Sequence, residues 1–274
     1  MALAATWIVT VPVANMHSAP DAKADVVSQA IYGTEVTVVA SQPGWKRIRT
    51  PGAYEGWAAD SSLLELANRG YPDGERALWV SSLFANLYRE PDVTTGQPLL
   101  TVPFETRLEV VSEPVEEERR WIETRLPDER RVWIQRGDVR FDDSALSAGE
   151  TIALARQFVG LPYLWGGVST FGYDCSGFTQ MLCRRRGIRI PRDSGPQARW
   201  EGMGVTDRAG LEPGDLLYFG ESVDRITHTG MYIGGGEFIH ATAYKKPVVQ
   251  ISSLGDPHWS ELLVACRRPG AAPE

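Results

Sequence analysis

Tyr173-Asp174-Cys175-Ser176-Gly177-Phe178 follows a glycine-rich run (Gly166, Gly167, Gly172) and opens an apolar stretch that reads as helical to about Arg186. The loop delivers the chain to a helix start, which Asp174 or Ser176 can cap. Cys175 then falls in the first turn, where backbone N–H groups favour an anion. This predicts a lowered thiol pKa and a thiolate nucleophile, with the same N–H groups available to an oxyanion. The plainer alternative is a buried cysteine acting as a small hydrophobe. Gly187 suits the C-terminal cap, and Pro191 lies beyond it. The basic run Arg184-Arg185-Arg186 reads as a solvated helix end.

Outward from this segment the pattern is helical before it and extended after it. Residues 148–158 carry apolar side chains at 152, 154, 155 and 158, and Leu161-Pro162 ends the run. Strands are predicted over 215–219, 227–233, 237–241 and 262–267, with Gly234-Gly235-Gly236 as a hairpin turn. Helices followed by an antiparallel sheet define an α+β class.

A cysteine nucleophile needs a base. His228 and His240 are two of only four histidines, and both fall in the predicted hairpin. Two imidazoles on neighbouring strands can face one side of the sheet, one pairing with Cys175 and the other orienting it. Cys175, His228 and His240 are also a conceivable zinc set. No carboxylate or second cysteine completes it at ligand spacing, so no metal or other cofactor is expected. Cys183 and Cys266 read as core residues, and His17 and His258 have no partner pattern.

The first half contains a repeat. Ala14-Asn15 and Pro20-Asp21 recur as Ala85-Asn86 and Pro91-Asp92; Val38-Val39 recurs as Val110-Val111, Trp45 as Trp121 and Trp57 as Trp133. Order is kept while spacing drifts slightly, as loop changes in two copies of one fold would give. Each copy, about 65 residues of short strands and turns, suits a small barrel. Trp45, Trp57, Trp121 and Trp133 are expected in the barrel cores. A boundary is expected near Asp142-Asp143-Ser144.

The net charge of −7 gives a nucleic acid or anionic membrane no bulk attraction. No apolar run of about 18 residues occurs, so no membrane helix is expected. Residues 1–10 lack a basic start, and Thr6, Thr10 and Pro12 interrupt the apolar stretch, a poor secretory signal. A cytoplasmic monomer is the direct expectation, and a secreted protein if a leader has been removed.

Asp174-Cys175-Ser176-Gly177-Phe178, Pro213–Phe219, His228–Gly234 and Phe238–Ala241, preceded by Pro162-Tyr163-Leu164-Trp165-Gly166-Gly167, resemble the NlpC/P60 family of cysteine peptidases in order over residues 148–270. The two repeats resemble bacterial SH3-like domains. The resemblance implies two small SH3-like β-barrels, 1–68 and 69–143, ahead of a papain-like catalytic domain, 144–274. It implies Cys175 as nucleophile, His228 as base, His240 as orienting residue, and a Tyr163 hydroxyl near the oxyanion. The three-part arrangement is similar to γ-D-glutamyl-L-diamino acid endopeptidases, which release L-Ala-γ-D-Glu from free murein peptides. In those enzymes the first barrel closes the cleft and reads the substrate's amino terminus.

Glu35 and Tyr54, with Asp174, are therefore the candidates for the substrate ammonium. Ser176, Arg192 and Ser194 are the candidates for the D-Glu carboxylate, and Trp165 for a subsite wall. Thr106 and Val132 stand near the places of Glu35 and Tyr54 in the second copy, which is read as a spacer. The rival readings are a secreted endopeptidase acting on polymeric wall and a non-catalytic wall-binding protein.

Overall fold

A computed structural model describes residues 6–66, 69–73, 76–112 and 120–270. Residues 1–5, which bear on the reading of the N-terminus and of Met1 as a start, lie outside these, as does residue 68 at the expected barrel boundary. The chain divides into two compact units, Met1–Asp143 and Ser144–Glu274. Among the described residues no helix is long and apolar enough to cross a membrane.

The first unit is built of strands. β1 (Thr6–Val9), β2 (Val13–His17), β3 (Val26–Ile31), β4 (Glu35–Gln42), β5 (Trp45–Arg49), β6 (Glu55–Ala59) and β7 (Leu63–Leu66) form one sheet in the order β3-β2-β6-β5-β4-β1-β7. β8 (Ala77–Val80), β9 (Phe84–Tyr88), β10 (Leu100–Pro103), β11 (Arg107–Ser112), β12 (Trp121–Arg125), β13 (Arg131–Gln135) and β14 (Val139–Arg140) form a second, in the order β10-β9-β13-β12-β11-β8-β14. Each strand of the second sheet occupies the place of its counterpart in the first, so the internal repeat is a repeat of topology.

The cores differ from expectation in one respect. They are aliphatic: Val9, Met16, Val36 and Ile48 in the first copy, Leu78, Leu87, Leu108, Ile122 and Ile134 in the second. Trp45, Trp57, Trp121 and Trp133 are only half-buried. Side chains alternate across a strand, and the inward places beside these tryptophans go to smaller residues such as Ala58, Ile122 and Ile134. The tryptophans cover the outer face instead; Trp121 meets Tyr88 edge-on at 5.3 Å.

The two copies are joined by interlocked side chains. Tyr32, at the end of β3, packs with the core of the second copy. Tyr71 packs with Ile8 and Leu66 of the first copy, and its hydroxyl donates to Arg125 O at 2.7 Å. Gly33 (φ +77°) sits so close to the second copy that a Cβ there would lie 2.9 Å from Arg107 O. Glu35, expected to read a substrate ammonium, accepts the Tyr71 N–H at 2.5 Å through Oε1. That oxygen is committed to the joint between the copies.

The second unit holds all four α-helices among the described residues: α1 (Ala148–Gln157), α2 (Cys175–Arg185), α3 (Ser194–Ala198) and α4 (Pro257–Leu262). A two-stranded ribbon, β15 (Val168–Ser169) and β16 (Gly172–Tyr173), precedes α2. β17 (Met203–Thr206), β18 (Leu216–Ser222), β19 (Arg225–Gly234), β20 (Glu237–Thr242), β21 (Val248–Ser253) and β22 (Leu263–Pro269) form a sheet in the order β17-β22-β18-β19-β20-β21. α1 begins with a capping box in which Ser147 and Glu150 satisfy each other's backbone N–H groups. This unit has the expected α+β order, but strands dominate the chain as a whole. β17, β21, α3 and α4 were not anticipated.

Replacing Glu35 by alanine would leave the Tyr71 N–H without its acceptor. A loss of about 1–3 kcal/mol is expected, read as a lower midpoint in thermal unfolding followed by circular dichroism. An unchanged midpoint would show that the bond contributes nothing to the joint.

Candidate active site

Asp174 is the N-cap of α2, and its Oδ1 accepts the Gly177 N–H at 2.6 Å. The expected choice between Asp174 and Ser176 is thus settled by geometry. The Ser176 hydroxyl lies 3.3 Å from the same oxygen and accepts from Arg192 Nη1 at 2.9 Å. Arg192 closes the cluster, with Nη1 3.0 Å from Asp174 Oδ1 and Nη2 2.6 Å from Oδ2. All three residues are buried.

This arrangement corrects one expectation. The Arg192 guanidinium is turned inward onto Asp174 and Ser176 rather than presented to a substrate carboxylate. Gln197 on α3, wholly buried, ties the same region together: its Nε2 donates to Ser176 O and Pro191 O, and its Oε1 accepts from Thr179. Ser194 opens α3 and is half-buried.

Cys175 follows the cap directly and is 8 % exposed. The backbone N–H groups of Thr229 and Ser176 both reach its thiol and favour the thiolate. Burial works against them and dominates, with the Asp174 carboxylate adding to it, and the thiol is pushed up to about 12. The thiolate expected from the helix N-terminus is therefore not the resting form. Desolvation of a buried sulfur outweighs the partial positive charge of one helix end.

Thr229 brings β19 to the thiol, and His228 is the residue beside it. His228 Nε2 lies 2.7 Å from His240 Nδ1, and His240 Nε2 lies 3.0 Å from Ser252 Oγ. β19 and β20 pair antiparallel, with Met231 opposite Ile239. Continuing that register sets Gly230 opposite His240, and both lie on the face that carries His228. A Cβ at Gly230 would come within 3.0 Å of His240 Cβ and 2.8 Å of Phe238 Cδ2. Glycine there lets the two imidazoles meet along the diagonal.

Trp259 of α4 covers both rings, its centroid 5.0 Å from His228 and 4.8 Å from His240. Burial pushes both imidazoles down, and His258 nearby adds to the effect at His228. Burial thus shifts both Cys175 and His228 towards their neutral forms. A zinc ion shared by the histidines does not fit nitrogens that face each other at hydrogen-bond distance.

Tyr163 donates its N–H to Pro247 O at 2.9 Å and bridges to Tyr173, which places it beside the turn into α2. Burial, then the nearby Cys175 and Asp174, push its phenol up to about 12, so it remains a proton donor. Trp165 is 69 % exposed, an uncovered ring two residues on. Tyr54, in the first unit, packs against the core of the first barrel. Ser252, Trp259, Gln197 and the Thr229 N–H were not singled out from the sequence. The run Val248-Val249-Gln250-Ile251 has the residue types of a strand, a signal the sequence reading passed over, and only the register shows that Ser252 meets His240.

The site thus sets a helix-start cysteine, reached by the Thr229 N–H, one residue from a histidine that is hydrogen-bonded to a second, the groups that thiol hydrolases use. Residues 160–268 match the NlpC/P60 family, and residues 12–65 match the bacterial SH3 domain. The chain is 34 % identical over 256 residues to a gamma-D-glutamyl-L-lysine dipeptidyl-peptidase of Bacillus cereus, covering 88 % of this chain and 74 % of that one. It is 30 % identical to a Bacillus subtilis protein of the same name, covering 89 % and 81 %. A crystal structure of an NlpC/P60 family protein from Bacillus cereus superposes with a TM-score of 0.83 at 29 % identity, covering 96 % of this chain and 99 % of that one. The chain belongs to the NlpC/P60 family.

Two outcomes follow from the site's electrostatics. Iodoacetamide should alkylate Cys175 slowly at pH 7 and faster as pH rises past the ordinary thiol value of about 8.5, read by mass spectrometry of the Cys175 peptide. Rapid labelling that levels off below pH 8 would contradict a resting thiol. Arg192→Met would strand the Asp174 carboxylate in a buried place, and a cost of about 3–5 kcal/mol is expected in denaturant unfolding.

Proposed function

We propose that this chain is a cysteine peptidase that hydrolyses the γ-D-Glu–diamino acid bond of free murein peptides with an amino-terminal L-Ala, releasing L-Ala-γ-D-Glu. The observation that carries the reading is the 2.7 Å contact between His228 and His240, next to a Thr229 N–H that reaches the Cys175 thiol. The relatives named gamma-D-glutamyl-L-lysine dipeptidyl-peptidase support the substrate class and make a lysine peptide the first choice.

The steps start from a neutral thiol and a neutral imidazole. As Cys175 Sγ attacks the γ-carbonyl carbon of D-Glu, its proton passes to His228 Nδ1, the nitrogen that His240 leaves free. The oxyanion takes hydrogen bonds from the Cys175 N–H and the Tyr163 O–H. His228 then gives the proton to the leaving amine of the diamino acid, and the C–N bond breaks to leave a thioester. Water loses a proton to His228 as its oxygen attacks the thioester carbon. The C–S bond breaks, the sulfur regains its proton, and the γ-carboxylate product departs. His240 orients His228, while Arg192 positions Asp174 and, through the cap, Cys175.

Asp174, beside the nucleophile, is the proposed acceptor for the substrate ammonium within the second unit. Ser194 and the exposed Trp165 are the proposed contacts for the rest of the peptide. The second barrel is read as SH3-like because its strand order repeats that of the first. On this reading the chain has three parts, 1–68, 69–143 and 144–274.

The test uses L-Ala-γ-D-Glu-L-Lys and its N-acetylated form, with products identified by mass spectrometry. Release of L-Ala-γ-D-Glu from the free-amine peptide alone is expected. Equal cleavage of both would replace selection for a free amino terminus with general endopeptidase action on wall. Cys175→Ala should abolish turnover, and full activity in that variant would sink the mechanism.

A further inference from the structure

His240 is wholly buried, and both of its ring nitrogens have partners, His228 Nε2 at 2.7 Å and Ser252 Oγ at 3.0 Å. Its ring is packed between Phe238 and Trp259, with centroids at 4.5 and 4.8 Å. The three polar side chains form one diagonal line over β19, β20 and β21. On β21, Gln250 is opposite His240 and Ser252 is opposite Phe238, so Ser252 is one diagonal step from His240 on the same face.

A neutral imidazole carries one N–H, and this couples the two contacts. Suppose His240 holds its proton on Nδ1. It then donates to His228 Nε2, and neutral His228 must carry its own proton on Nδ1. That is the nitrogen assigned above to take the thiol proton, and once it carries hydrogen it cannot accept one. Suppose instead that His240 holds its proton on Nε2 and donates to Ser252 Oγ. His240 Nδ1 then accepts from His228 Nε2–H, and His228 Nδ1 keeps its lone pair. Once His228 has taken the thiol proton, both of its nitrogens carry hydrogen. His240 must then accept on Nδ1, and its Nε2–H must find an acceptor. Ser252 Oγ is the acceptor at hand, and the half-buried hydroxyl can turn its own proton away.

We infer that Ser252 is a positioning residue of the catalytic relay, fixing the tautomers of His240 and His228 by accepting the His240 Nε2–H. This rests on the peptidase reading above. The hydroxyl contributes most when His228 is charged, so its loss falls on kcat rather than on KM.

The experiment compares Ser252→Thr with Ser252→Val, two side chains of the same shape of which only one has a hydroxyl. In cleavage of L-Ala-γ-D-Glu-L-Lys, the threonine variant should keep kcat within about threefold. The valine variant should lose about 10- to 100-fold, with KM unchanged in both. In parallel, 15N shifts of histidine-labelled protein report the tautomers. His228 Nδ1 should be unprotonated in the wild type and the threonine variant, and protonated in the valine variant. Equal loss in the two variants, a valine variant with wild-type kcat, or unchanged tautomers in folded Ser252→Val would each overturn the inference. The tautomer measurement needs no turnover, so a chain that cleaves nothing would count against the peptidase reading while the relay was still measured.

Discussion

The Asp174 carboxylate is the fixed point of the second unit. It caps α2 through the Gly177 N–H and is clamped by both terminal nitrogens of Arg192, with the Ser176 hydroxyl between them. A buried carboxylate is tolerable only with such partners, because desolvation would otherwise force it to neutralise or leave the interior. The cluster therefore fixes the start of α2, and the start of α2 fixes Cys175. From there the position of β19 follows, since its Thr229 N–H reaches the thiol. The remaining partners are set by strand register.

The site is built to separate charge on demand instead of storing it. Burial shifts the thiol up and the imidazoles down, each towards its neutral form. The same low-dielectric surroundings strengthen each hydrogen bond that forms once charge appears. The N–H groups of Ser176 and Thr229 already reach the sulfur, and the Tyr163 phenol nearby holds its proton.

Much of this was legible in the sequence. The run from Tyr173 to Phe178 marked the helix start, and α2 begins at Cys175 as its capping pattern required. The glycine triplet marked the hairpin that carries His228 and His240, and the repeated Trp and Val positions marked the duplicated strands. What escaped depends on spatial register or on the balance of opposed terms. Ser252 joins His240 only because β21 pairs with β20 at one particular offset, which periodicity cannot supply. Aromatic bulk points the tryptophans to the cores, but strand alternation gives the inner places to neighbours such as Ala58 and Ile134. The helix end that favours a Cys175 thiolate is visible in the sequence, and the depth of burial that opposes it is not. Arg192 suits a carboxylate by its chemistry, and the carboxylate that it meets within the fold is that of Asp174.

The joint in the first unit bears on how such a protein can change over time. The turn at Tyr32-Gly33-Thr34 has a counterpart at Phe104-Glu105-Thr106, and Gly33 and Glu105 share a positive φ, +77° and +67°. The second copy carries a glutamate in that turn. The first is held to glycine, because any larger residue would meet the backbone at Arg107. Two sheets of the same strand order are thus held to unequal constraints by the contact between them. Tyr32, Gly33 and Glu35 now answer to a neighbour as well as to their own strands. Exchanging either copy alone would break the contacts of that trio, so the two copies are constrained as one piece.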